Sequence, residues 1–256
     1  FRFQPLQCAK LPMPLLNQQE PVVCTNRPEN VSIYEDPITH EKYLRFSVLN
    51  IPYNCNDCDP NDMTVSDCRR ECRTTGYPAY PYTSGMIESK DLGILTDGTD
   101  IKYGYIEAEI SMSDVAGLWP AFWTCNGHNE ITPYNEIDIF EMCPGKFEKC
   151  DSVSAYNKIH DKNIMTTCVH PALKNNDGPS CYGSYYVTHN IDDYTKPHIY
   201  GLEWSPTKII WYVDGKVIRN TPINKIINPQ KIILGMGVHP PSSITFDPNA
   251  VFPLNM

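Results

Sequence analysis

Apolar and polar residues alternate along this chain in short runs of period two, which puts successive side chains on opposite faces of a strand. The alternation is clearest from residue 84 onward. It predicts strands at 84–89, 104–112, 118–125, 163–170, 199–204, 209–213, 216–219 and 232–238. Ahead of these, 31–34 and 42–49 flank the turn Glu35-Asp36-Pro37. Asp97-Gly98 marks another turn, and Asp214-Gly215 between two apolar runs predicts a two-residue hairpin. No long amphipathic helix and no internal repeat is evident. Many short strands separated by turn residues predict an all-β fold, a sandwich of two antiparallel sheets.

One strand carries the chemistry. In Asn135-Glu136-Ile137-Asp138-Ile139-Phe140-Glu141, the isoleucines enter a core and Glu136 and Asp138 take the other face. Strict alternation would turn Glu141 inward. A bulge near Ile139–Phe140 adds one residue and returns Glu141 to the face of the other two acids. Three acids on one face repel one another, and glycoside hydrolysis is chemistry that uses such a set, since it needs two carboxyl groups flanking the scissile bond. Glu136 and Glu141 lie roughly 13 Å apart along the backbone, and their side chains can lean toward a sugar between them. A carboxyl gap of about 5–5.5 Å would mean retention of configuration. Asp138, between them, is placed to hold the two glutamates in different protonation states. On these residues alone, a solvent-facing strand with a chance run of acids competes with this explanation.

Length, charge and cysteines narrow the class. A chain of 256 residues fits a single domain, 1–256, with an irregular Cys-rich surface loop at about 51–83. The net charge of −9 disfavours nucleic acid and anionic polymers as partners. The one basic cluster, Arg69-Arg70 with Arg73, lies within the cysteine-rich loop and suits solvation. No apolar run is long enough for a membrane-spanning helix. Phe1 follows no initiating Met, which points to a mature or trimmed chain. Eleven cysteines favour disulfides and a secreted protein. Cys55-x2-Cys58 with Cys68-x3-Cys72 admits zinc, but no histidine is near, so disulfides without metal are expected there. The odd count leaves at least one thiol over. Asn30-Val31-Ser32 is a glycosylation sequon, in keeping with secretion.

Five segments, in order, resemble glycoside hydrolase family 16, the laminarinases, lichenases, agarases and carrageenases. They are Tyr103-Gly104-Tyr105-Ile106-Glu107-Ala108, Gly117-Leu118-Trp119-Pro120-Ala121-Phe122-Trp123, the acidic strand in its bulged ExDxxE form, His198-Ile199-Tyr200-Gly201-Leu202-Glu203-Trp204 and Trp211-Tyr212-Val213-Asp214-Gly215-Lys216. The resemblance spans roughly residues 84–240. It implies a β-jelly-roll sandwich with a sugar-binding cleft on a concave sheet, with no cofactor. It also implies Glu136 as nucleophile, Asp138 as electrostatic helper and Glu141 as acid/base. Such a mechanism expects Glu136 ionised and Glu141 with a raised pKa.

Periodicity adds binding candidates. Trp119, Ala121 and Trp123 share one face of their strand, and Pro120 and Phe122 share the other. Phe122 packs between the sheets on this reading. Trp123 is expected in the cleft, where its flat face suits sugar rings, and Trp119 goes either to the cleft or to the core. His170, on the same strand face as Cys168, is a candidate sugar contact; a structural hydrogen bond is the alternative. Two positions depart from the family pattern. Met86 stands where laminarinase-like members carry arginine in "SGR", and Gly235 stands where they carry asparagine in "LNLAVGG". No ligand cluster specific for a structural metal is evident.

The expected function is a secreted, retaining, endo-acting hydrolase of a β-linked polysaccharide, with β-1,3-glucan first. Its partner is then a polysaccharide or oligosaccharide substrate; the sequence leaves the oligomeric state open. Transglycosylase activity, a galactanase specificity of the agarase or carrageenase kind, and a catalytically silent carbohydrate binder are the alternatives. Relatives continue past the segment corresponding to Val251–Met256 with one more strand, so either the natural chain continues or another segment, such as residues 1–24, covers that site.

Overall fold

A computed structural model describes residues 22–24, 27–54, 79–89, 101–126, 135–142, 164–170, 187–222, 226, 228–238, 247 and 249–256. The strands are β1 (Val22–Cys24), β2 (Val31–Glu35), β3 (Lys42–Val48), β4 (Tyr53–Asn54), β5 (Ala79–Tyr80) and β6 (Tyr82–Ser84). There follow β7 (Met86–Glu88), β8 (Gly104–Ile110), β9 (Leu118–Cys125), β10 (Glu136–Met142), β11 (Ile164–His170) and β12 (Val187–Asn190). The last five are β13 (His198–Trp204), β14 (Lys208–Val213), β15 (Lys216–Pro222), β16 (Lys231–Val238) and β17 (Leu254–Asn255). No helix occurs among the described residues.

Two antiparallel sheets form the body. One has six strands in the order β12-β11-β10-β9-β16-β7, and the other has four in the order β15-β14-β13-β8. Their inner faces meet through Phe140 and Tyr200, whose ring centroids are 4.6 Å apart, and Phe122 packs edge-on against Phe140. Ile137, Phe140, Met142, Leu202 and Trp211 are all sealed from solvent in this layer. Each large side chain so buried contributes roughly 1.5–3 kcal/mol. Alternation therefore does in the structure what it promised in the sequence: the even residues Ile232, Leu234, Met236 and Val238 of β16 face this core, and its odd residues face the opposite way.

The hairpin at Asp214-Gly215 forms as expected. Val213 pairs with Lys216, and both turn residues have positive φ, 51° and 73°, the geometry that matches strand twist. The expected strand 84–89 is divided instead. At Gly85 the backbone passes so close to β2 that a Cβ would lie 2.4 Å from the Asn30 carbonyl oxygen and 2.5 Å from Val31 Cγ2. Before this crossing β6 pairs parallel with β1; after it β7 pairs with β16. The structure also corrects the reading of Asn30 as a glycan acceptor. Its side chain is buried, and its amide donates to the Ser47 carbonyl at 3.0 Å and to Thr83 Oγ1 at 3.1 Å, so both N–H groups are committed inside the fold. β17 pairs with β3, and Met256 exchanges backbone hydrogen bonds with Phe46. The expected Cys55–Cys72 loop lies outside the described residues.

Candidate active site

The site is built on β10, third in the six-stranded sheet. Against β11, Asp138 is opposite Cys168 and Glu141 is opposite Thr166, so three steps on β10 match two on β11. Against β9 the shift falls between Asp138 and Phe140. The extra residue is the bulge expected from parity. It sends Phe140 and Met142 inward and brings Glu136, Asp138 and Glu141 onto one face.

A bulge takes backbone groups out of the ladder, and a buried carbonyl needs another donor. Here that donor comes from the facing sheet: the indole N–H of Trp211 donates to the Asp138 carbonyl at 2.9 Å. The Arg219 guanidinium stacks on the Trp211 ring at 4.5 Å and donates to the Thr167 carbonyl at 3.0 Å and its Oγ1 at 2.9 Å. Two links from the four-stranded sheet thus brace β10 and β11 from behind. Beside them, burial and then the Arg219 charge lower the His189 pKa to about 4. That ring is neutral at pH 7 and lies 3.0 Å from Thr167 Oγ1.

On the acidic face, the predicted residues assemble. His170 pairs with Glu136 in register, and its Nε2 lies 3.1 Å from Asp138 Oδ2 and 3.3 Å from Glu136 Oε1. Trp119, half-buried, donates its indole N–H to Glu141 Oε1 at 3.1 Å. Trp119 therefore belongs to the acidic face and not to the core. Trp123 is opposite Asp138 and half-buried on the same face. Phe122 lies between the sheets, as alternation requires.

Burial pushes the Glu136 carboxyl well above the usual carboxylate range, and the neighbouring Asp138 charge pushes it further. Hydrogen bonding toward the Asp138 side chain favours the protonated form as well. Lesser contributions come from Cys125, opposite Glu136 on β9, and from Glu141. The expectation that Glu136 is ionised does not match this geometry, which favours its protonated form. For His170, burial works against the imidazolium, but the charges of Asp138 and Glu141 outweigh it and the pKa rises. Glu136, Asp138 and His170 thus form a proton-sharing cluster at one end of the acid set, with Glu141 held by Trp119 at the other. Asp138, Cys168 and His170 also bring three ligand-type atoms within 4.8 Å of one another. Cys168 is disulfide-bonded, so its sulfur offers no thiolate, and the remaining pair already bond to each other. Sequence reasoning missed Trp211 and Arg219 as supports of the site. Nothing in their local pattern signals the role, which strand pairing and sheet packing create.

The site is thus three converging acids with aromatic side chains beside them on one face of a two-sheet β-sandwich. The chain belongs to glycosyl hydrolases family 16, whose profile matches residues 79–238. It is similar to an endo-1,3-1,4-beta-glycanase of Rhizobium meliloti, 28% identical over 161 residues, covering 62% of this chain and 28% of that one. It is also similar to a kappa-carrageenase of Pseudoalteromonas carrageenovora, 29% identical over 174 residues, covering 62% of this chain and 38% of that one. The match thus spans well under half of either relative. Among solved structures, the laminarinase catalytic domain of Thermotoga maritima superposes with a TM-score of 0.62 at 21% identity, over 93% of this chain and 80% of that one. That likeness establishes the fold, a jelly-roll sandwich.

Proposed function

We propose that the chain is a retaining, endo-acting hydrolase of a β-linked polysaccharide, with neutral β-1,3-glucan as its preferred substrate, working outside the cell. The observation that carries this reading is the bulged strand β10, which aligns Glu136, Asp138 and Glu141 on one face. In this mechanism Glu136 attacks the anomeric carbon while Glu141 gives its proton to the leaving oxygen. Glu141 then deprotonates the incoming water, which releases the sugar from Glu136. Trp119 orients Glu141 through one carboxyl oxygen. His170 and Asp138 hold Glu136 and take part in its proton balance, so His170 acts through the carboxylates and need not touch the sugar. The high pKa of Glu136 means that it must lose a proton before it can attack.

A net charge of −9 suits a neutral glucan better than a sulfated galactan. The eleven cysteines support extracellular work. The similarity to a kappa-carrageenase keeps a galactanase as the second reading. A silent binder would have no use for two braced glutamates, and a transglycosylase would differ only in passing the sugar to another sugar. Reducing-sugar release from laminarin, lichenan, agarose and carrageenan tests the proposal. Release from laminarin above all others is expected; no release from any, with binding retained, would overturn it. Proton NMR of the first product is expected to show the β-anomer before mutarotation, and an initial α-anomer would remove Glu136 as nucleophile.

A further inference from the structure

Strand register lays out the sheet floor beside Glu141. Glu141 is paired with Ala121 on β9, Ala121 with Gly235 on β16, and Gly235 with Met86 on β7. Directly paired residues share a face, so all four belong to the acidic side of the sheet. At about 4.8 Å per strand, the row runs roughly 14 Å from the acid to Met86. Over the middle of that row the floor is nearly bare: a methyl group, then a glycine. Met86 leans into the gap. A Cβ placed on Gly235 would meet Met86 Cγ at 2.7 Å, Cβ at 2.9 Å and Cε at 3.1 Å. The methionine therefore occupies the space that any side chain at 235 would need.

The row also contains no cation. The lysine on the same sheet face, Lys231, is engaged with the buried Glu88 at 3.0 Å. A sugar lying over Ala121 and Gly235 meets carbon and sulfur, with no side-chain group in this row to pair a sulfate, and the space above Gly235 is taken by Met86.

We propose that Met86 and Gly235 act as one specificity-determining pair, with the methionine seated on the bare glycine and closing the β7 end of this floor. The sugar unit bound there is uncharged and carries no side branch. This rests on the reading of the site as a β-glucan hydrolase. A pocket contact of one or a few methylene groups changes relative kcat/KM by roughly 10–200-fold, so the pair has enough leverage to set selectivity. Met86→Ala opens the floor. Gly235→Ala forces the methionine aside and into the space of the sugar, and the double variant removes that conflict.

Wild type, Met86→Ala, Gly235→Ala and the double variant are compared on linear and on side-branched β-1,3-glucan oligosaccharides, with kcat and KM measured separately. Met86→Ala is expected to raise the branched-to-linear ratio of kcat/KM by about tenfold or more. Gly235→Ala is expected to raise KM for the linear substrate, and adding Met86→Ala is expected to reverse that rise. A wild type that is active while all four proteins share one branched-to-linear ratio would overturn this inference alone. So would a KM defect in Gly235→Ala that persists unchanged in the double variant. A wild type inactive on every glucan would overturn the reading of the site and this inference with it.

Discussion

Glu136 is the residue on which the pH behaviour of the site turns. Its carboxyl is raised by burial first and by Asp138 second. The folded chain therefore binds this proton more tightly than the unfolded chain does, and stability falls as pH rises from the ordinary carboxylate range through the raised value. Glu136→Gln removes that cost. It is expected to abolish hydrolysis and to stabilise the fold by roughly 1–2 kcal/mol at pH 7, with the gain vanishing below about pH 4. Denaturant unfolding at both pH values checks this; equal stability of the two proteins at pH 7 would refute it. The acid limb of kcat/KM in the wild type is expected above the ordinary carboxylate pKa, since protonated Glu136 cannot attack. His170 behaves in the opposite sense. Its folded pKa is raised, so its contribution is full below about pH 6.5 and is lost as pH rises through the folded value. His170→Ala leaves buried Asp138 without its ring partner, a loss of about 3–5 kcal/mol for a broken buried pair. The gap between wild type and variant is expected to be larger at pH 6 than at pH 9.

At the scale of the element, the bulge in β10 is the feature that makes one strand into a site. Its extra residue moves Glu141 to the acidic face, and Trp211 from the facing sheet supplies the hydrogen bond that holds the Asp138 carbonyl. Trp211→Phe keeps an aromatic ring but deletes the N–H together with the five-membered half of the buried indole, so a cavity adds to the cost. The unpaired carbonyl costs roughly 1–3 kcal/mol, and the acids lose their fixed spacing. The expected result is a fall in kcat with KM nearly unchanged, because Trp119 and Trp123 on the acidic face are untouched. A variant with reduced stability and unaltered kcat would mean that Trp211 serves the core alone. The break at Gly85 belongs to the same scale. It hands one continuous-looking segment to two sheets, and by doing so delivers Met86 and Glu88 to the edge of the acidic face.

For the whole molecule, the two sheets have separate duties. The four-stranded sheet sends Phe-packing aromatics, Trp211 and Arg219 inward, while the six-stranded sheet presents acids, indoles and a bare floor on its other side. The overall charge bears on the substrate. An acidic protein acting on a neutral glucan gains nothing from long-range attraction, so its kcat/KM is expected to change less than about twofold between low salt and ~0.5 M salt. A sulfated galactan would be repelled at low salt and relieved by screening, and its kcat/KM would rise. A steep rise with salt on the preferred polymer would therefore favour the galactanase reading.

The sequence by itself determined the strand-rich class, the Asp214-Gly215 hairpin, the bulge and the facing of the acids. Each of these follows from local chemistry: period-two alternation, a turn that requires positive φ, and a glutamate whose parity is wrong by one. The same alternation placed Trp119 and Trp123 on one face and Phe122 on the other. What alternation leaves open is the neighbour across the strand gap. Pairing β10 with β11 put His170 against Glu136 and Asp138, and pairing it with β9 gave Glu141 to Trp119. Trp211 meets the bulge from 73 residues away, a contact set by how two sheets stack. The division at Gly85 and the burial of Asn30 came from one close crossing of backbones, invisible in a pattern that reads each strand alone. The proton preference of Glu136 was also decided there, because desolvation and the distance to Asp138 exist only once the sheets have closed.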